Sequence, residues 1–226
     1  MEWKDLIYSA TKERGCPLIV SEQEEVIPAK SLWVEVRRWV KTFREYGLTK
    51  GDRISFEITD LFTYLGAFLA AMWEEHQIII NNIGTASSKK GPFIPDIILK
   101  NNSIIENDSV PYPFDGDFER HAEARLVFLK SNSFAAFSDD DLLSILNSFQ
   151  IKNKFLGSRV LSMSSWFEES GIIQELLPGI FWADVIVQGN SKRRVSETLA
   201  IKKKYLINLV KGGKDPQKGN DQLILF

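Results

Sequence analysis

The chain has a single cysteine, Cys16, in 226 residues, and only two histidines, His76 and His121, which stand far apart. No disulfide can close within it. Structural zinc, which needs four clustered cysteine and histidine ligands, is excluded as well. Net charge is also nearly absent, at −2, so the overall field is too weak to hold the protein on nucleic acid or membrane, although local patches remain open. No apolar run reaches the roughly 18 residues of a membrane span. The opening stretch MEWKDLIYSATKERG carries charges where a signal peptide needs an apolar core. These absences lead to the expectation of a cytoplasmic protein with no membrane association. Aromatic residues, by contrast, are plentiful: 15 Phe, 6 Trp and 5 Tyr supply enough apolar surface to offset the entropy of ordering the chain.

Regular elements are legible in the first 81 residues. Leu18-Ile19-Val20 reads as a strand. From Ser31 to Tyr46, Leu32, Val36, Trp39, Val40 and Phe43 recur at helical spacing, with Glu35, Arg37, Arg38, Lys41 and Arg44 between them. Gly47 takes the position after the helix that favours a left-handed residue, and a turn leads into the alternating strand Arg53 to Ile58. A second helix spans Leu61 to Glu75, with Gly66, Ala67, Ala70 and Ala71 permitting close packing. It runs into Gln77-Ile78-Ile79-Ile80-Asn81, a strand apolar enough to lie inside a sheet covered on both faces. The alternation predicts a three-layer α/β domain.

Residues 82 to 124 lose periodicity, apart from an apolar piece at Ile94 to Leu99, and read as an irregular connection. Arg125 to Lys130 reads as a strand, Ser138 to Asp141 as an acidic helix start, Val160 to Met163 as a strand, Gly171 to Leu177 as a helix stopped by Pro178-Gly179, and Ala183 to Val187 as a further buried strand. The organisation expected is an α/β domain over 1–190, a basic helix over 191–211, and a flexible linker with an apolar peptide over 212–226.

Two blocks resemble the N-terminal subdomain of adenylate-forming enzymes, the AMP-binding acyl-CoA synthetase superfamily. The first is Leu32 to Val36, then Gly47-Leu48-Thr49-Lys50-Gly51-Asp52-Arg53, Phe68 to Ala71 and Ile79-Ile80-Asn81. The second is Gly157 to Ser162, Trp166 to Gly171 and Leu176 to Gly179. The resemblance implies that subdomain's fold. It also implies, for working members, a Ser/Thr/Gly-rich loop ending in Pro-Lys-Gly after a strand, where backbone amides and a lysine hold the ATP phosphates. Here the strand is followed by Lys130-Ser131-Asn132-Ser133-Phe134-Ala135-Ala136-Phe137, with neither glycine nor Pro-Lys-Gly, and Asp139 to Asp141 soon after would repel a polyphosphate. Glu168 stands where many relatives place a histidine. The chain also stops before the family's adenine-binding and magnesium-binding motifs, so its length argues against complete catalysis. No cofactor is expected, ATP included, and neither catalytic nor metal-ligating residues are assigned.

The other candidates read as structural. Gly84 to Pro92 has a phosphate-loop composition but lies one strand too early. Cys16 packs near the first strand, His76 suits a helix end, His121 lies in an acidic surface stretch, and Glu168 with Glu169 lacks a matching acid. The tail is more specific. Nine Lys or Arg against two acids occupy Asn190 to Lys218, and Arg193, Arg194, Lys202, Lys203 and Lys204 are candidates for nucleic-acid phosphate contact. Gln222-Leu223-Ile224-Leu225-Phe226 resembles the peptide by which bacterial DNA-metabolism proteins bind the replication sliding clamp. That makes Gln222, Leu223, Leu225 and Phe226 candidate partner-binding residues, the alternative being an added strand on the parent sheet or on a partner. The expected function is a non-catalytic or only conditionally catalytic relative of the adenylate-forming enzymes, acting through protein contacts. Two alternatives stand beside it: half of a split synthetase completed by a partner chain, or a DNA-associated accessory protein recruited to the clamp.

Overall fold

A computed structural model of the chain describes residues 2–13, 18–20, 26–27, 29–81, 95–100, 103–106, 123–129, 134–153, 159–162, 166, 168–182, 185–188 and 223–225. It divides into two compact units, one of residues 1–9 and 30–145 and the other of residues 10–29 and 146–226. Each contains one sheet. The α/β alternation expected from the sequence is the one observed.

The first unit is built on six strands, β3 (Arg53–Glu57), β4 (Gln77–Asn81), β5 (Ile97–Lys100), β6 (Ser103–Glu106), β7 (Ala124–Leu129) and β8 (Phe134–Ser138), ordered β6-β5-β3-β4-β7-β8. The four inner strands run parallel, and β6 and β8 flank them antiparallel. Helix α2 (Ala29–Glu45) buries the stripe Leu32, Val36, Trp39 and Phe43. Helix α3 (Leu61–Trp73) is buried along Tyr64 to Met72 and starts from Asp60, whose carboxylate accepts from the Thr63 N–H at 2.7 Å. A short helix α1 (Trp3–Tyr8), for which the sequence reading had no element, packs on α3.

The Gly-Asp-Arg turn proves to be scaffold. Gly47 and Gly51 both adopt positive φ, 78° and 92°. Asp52 accepts from the Thr49 N–H at 2.7 Å, and Arg53 forks onto Asp96 at 2.5 and 3.0 Å, fastening β5 beside β3. The stretch 82–124 is not wholly irregular, because Ile97–Lys100 and Ser103–Glu106 form a hairpin, Ile98 opposite Ile105, that extends the sheet. Its strands are too short to register as a period.

The second unit holds β1 (Leu18–Val20), β2 (Val26–Ile27), β9 (Arg159–Ser162), β10 (Val185–Gln188) and β11 (Leu223–Leu225), ordered β11-β9-β10-β1-β2. A π-helical segment, Gly171–Leu176, continues directly into α5 (Leu177–Trp182), so Pro178-Gly179 does not stop the helix as expected. Pro178 lies within this continuous run, just after the change from π- to α-helix. A Cβ on Gly179 would sit 2.8 Å from Ile186 Cδ1, so this glycine permits close approach of α5 to β10.

Candidate functional site

The place to look for nucleotide chemistry is the C-terminal end of β7, where the resemblance puts a phosphate loop. β7 is buried along its whole length. It turns into β8 with Leu129 opposite Phe134, Val127 opposite Ala136 and Ala124 opposite Ser138. Only residues 130–133 separate the two strands, and no glycine occurs from Leu126 to Ser138. The returning strand is apolar: Phe134 and Ala136 pack on Ile79, Val127 and Leu129, and Phe137 meets Phe128 edge-on at 6.0 Å. A cradle that turns several amides toward a polyphosphate needs glycine and a longer excursion; the chain here has a short link between two packed strands.

Asp139 to Asp141 do not stand near the β7–β8 turn, as their place in the sequence suggests. Because β8 runs back along β7, it carries Asp139 to Asp141 to the opposite end of the sheet, about 17 Å away at ~3.4 Å per residue, beyond a Debye length. Their repulsion does not act at the β7–β8 turn. They begin α4 (Asp139–Asn153) instead. Ser138 and Asp141 cap one another, Ser138 N–H donating to Asp141 at 2.9 Å and Asp141 N–H to Ser138 Oγ at 3.2 Å.

That opposite end carries a polar groove of about 400 Å³ lined by Lys50, Glu75, Gln77, Arg125, Asp139 and Asp140, among others. The groups in it serve each other. Arg125, 7% exposed, donates to both Asp139 oxygens at 2.8 and 2.7 Å and to the His76 carbonyl at 3.0 Å, while the Trp3 indole N–H donates to Asp139 at 2.7 Å. Burial alone would push the Asp139 carboxyl up, but the Arg125 hydrogen bonds and charge, with the Trp3 N–H, hold it below the usual carboxylate range. Glu75 is lowered chiefly by its hydrogen bond from Lys50. Among the described residues no group of three or more His, Cys, Asp or Glu is arranged to hold a metal ion.

His76 is buried, 1% exposed, edge-on to Phe43 at 5.4 Å, and neither ring nitrogen makes a hydrogen bond of normal geometry. Its role is structural, but not through the helix dipole expected for it. Burial lowers its pKa and keeps it neutral, against the pull of the Thr49 backbone, Asp52 and Glu74. A histidine whose folded pKa lies below its unfolded value near 6.5 adds stability above that pH and loses it as pH falls, because the unfolded chain takes up the proton first. Urea unfolding at pH 7.5 and 5.5 therefore shows a drop that His76→Phe abolishes. An unchanged pH response in His76→Phe contradicts this assignment.

Among the sequence-selected residues, Leu223 and Leu225 lie in β11, parallel to β9 with Leu223 opposite Arg159 and Leu225 opposite Leu161. Docking of this peptide elsewhere would require β11 to leave β9. Gln222, Phe226, Arg193, Arg194, Lys202, Lys203 and Lys204 lie outside the described residues, as do Cys16, His121, Gly84 to Pro92, the expected helix within 191–211 and the linker over 212–221. Glu168 and Glu169 precede the π-helical segment, the Glu168 carbonyl accepting from the Ile172 N–H at 2.9 Å. Among the described residues no helix is long and apolar enough to cross a membrane.

No family model matches the sequence, and no curated protein matches it. Solved structures do match in fold. The fatty acyl CoA synthetase of Mycobacterium tuberculosis superposes with a TM-score of 0.65 at 9% identity over 88% of this chain and 47% of its own. For o-succinylbenzoate CoA synthetase (MenE) of Bacillus subtilis the values are 0.64, 13%, 99% and 53%. Apo MatB of Rhodopseudomonas palustris gives 0.62, 12%, 89% and 48%. The fold is thus that of the N-terminal subdomain of adenylate-forming enzymes, and the chain spans about half the length of these structures.

Proposed function

We propose that this chain is a non-catalytic relative of the AMP-binding acyl-CoA synthetases that works through protein contacts. The observation that carries the reading is the β7–β8 hairpin: four glycine-free residues join two packed strands where a working relative needs room and amides for the ATP phosphates. The polar groove at the other end of the sheet offers no substitute, because Arg125 and Lys50 are engaged by Asp139 and Glu75.

Pyrophosphate exchange into ATP tests this directly, with a panel of carboxylic acids and with the chain alone or mixed with products of neighbouring genes. No exchange above the no-protein background is expected in either setting. Robust exchange by the chain alone overturns the proposal, and exchange only in a mixture converts it to the split-synthetase reading.

A further inference from the structure

The first unit carries an open groove of about 630 Å³ with an aromatic floor. Trp33 packs against Trp73, ring centroids 5.5 Å apart at 57°, and Tyr8 meets Trp33 edge-on at 5.4 Å. Val36 and Val40 complete the wall, and the rim is formed by Arg37, Lys41, Arg44 and Glu45 of α2. The rim charges are not equivalent. Arg44 is held by Glu74 at 2.7 and 3.2 Å, and Lys41 by Glu45 at 3.4 Å. Arg37, exposed on the same helix, has no hydrogen-bond or ion-pair partner among the described residues. Val34, 66% exposed, lies one turn before it on the same helix.

We infer that this groove docks a segment of a protein partner that sets a large apolar side chain on the Trp33–Trp73 floor and brings a carboxylate to Arg37. The inference rests on the reading that the chain works through protein contacts, and it adds the chemistry of the contact. Tryptophan, tyrosine and arginine are the side chains in which interface energy concentrates. A volume of this size accepts one or two large side chains. The charge pattern selects the occupant: Glu45 and Glu74 already neutralise Lys41 and Arg44, so the charge left over on the rim is the Arg37 guanidinium, which favours an acidic segment. An unengaged guanidinium offers a planar fork that a carboxylate fits in two hydrogen bonds. The same charge argues against the chain's own basic stretch, which carries Arg193, Arg194 and Lys202 to Lys204, as the occupant.

The experiment is a random dodecapeptide phage library panned on the immobilised full chain, followed by fluorescence anisotropy of the enriched peptides against wild type, Arg37→Glu and Arg37→Lys. Arg37 holds no other group among the described residues, so both variants are expected to melt with the wild type, which a thermal scan verifies. Enriched peptides are expected to place an aromatic or long aliphatic residue beside Asp or Glu. Their Kd should weaken about tenfold or more in Arg37→Glu, which reverses the charge, and by a smaller factor of about three- to fivefold in Arg37→Lys, which keeps the charge but loses the planar fork. The inference is overturned by a library without enriched binders, by binders lacking an acid, or by binders that hold Arg37→Glu as tightly as wild type. Pyrophosphate exchange is measured independently, so a failed panning and a failed non-catalytic reading are told apart.

Discussion

Asp139→Ala lowers the unfolding free energy by about 3 kcal/mol, the low end of what breaking a buried ion pair costs, because the Asp139 side chain is itself 39% exposed. The loss is asymmetric. Without Asp139 the Arg125 guanidinium stays buried on the His76 carbonyl alone, and the Trp3 indole N–H loses its acceptor. Arg125→Met instead leaves a carboxylate that water can reach, and costs about half as much. The double variant is therefore more stable than Asp139→Ala alone, a coupling that a double-mutant cycle in urea measures directly. If the two single losses simply add, the pair does not hold α1, β7 and α4 together. Acid has the same effect as the substitution. The Asp139 pKa is depressed in the folded chain, so its contribution is full above the unfolded carboxylate value of about 4 and is lost as pH falls below it.

Gly66→Val is the second large effect, a loss of about 3 kcal/mol, because Gly66 of α3 lies directly against Glu35 of α2. A Cβ at this position would overlap Glu35 Cγ, and it would come within 3.0 Å of Glu35 Cβ and 3.4 Å of the Glu35 backbone. Glu35 cannot swing aside. Its carboxylate accepts from the Trp39 indole N–H at 3.0 Å and is bound by the Arg38 guanidinium. Two effects compete in Gly66→Ala: overpacking costs up to about 3 kcal/mol, while alanine improves helix propensity by about 1 kcal/mol. The net loss is up to about 2 kcal/mol. In a Glu35→Ala background the obstructing Cγ is gone and Gly66→Ala becomes neutral or stabilising. Denaturant midpoints of the four chains decide it, and an equal cost in both backgrounds refutes the contact.

Local signals carried most of the first unit. The helical stripe of α2, the glycine stop at Gly47, the apolar run of β4 and the Ser138–Asp141 start of α4 each depend on neighbours a few residues apart, so the chain itself displays them. What escaped depended on partners distant in sequence. Glu35 reads as one of the polar residues between apolar ones, yet it is buried because Trp39 and Gly66 close around it. β5 takes its place beside β3, where Asp96 receives the Arg53 fork from 43 residues away. At the candidate site the missing glycines were visible in the sequence. The reversal of β8, which makes the β7 end a hairpin and moves Asp139 to Asp141 away from it, was not. The groove around Trp33 and Trp73 was equally hidden, since Trp33, Arg37, Lys41 and Trp73 come from two helices.

The division of the chain between its two sheets also sets an order of assembly during synthesis. Every strand of the six-stranded sheet has been synthesised once Ser138 is made, so that unit can close while the rest of the chain is still being added. The other sheet has no such freedom. Leu18 waits for Val185, and Arg159 waits for Leu223. Until then β1 has only the two residues of β2 beside it, too little to persist as a ribbon. The parallel edge of β1 therefore has no partner, and is open to chaperones or to wrong neighbours, until β10 has been made.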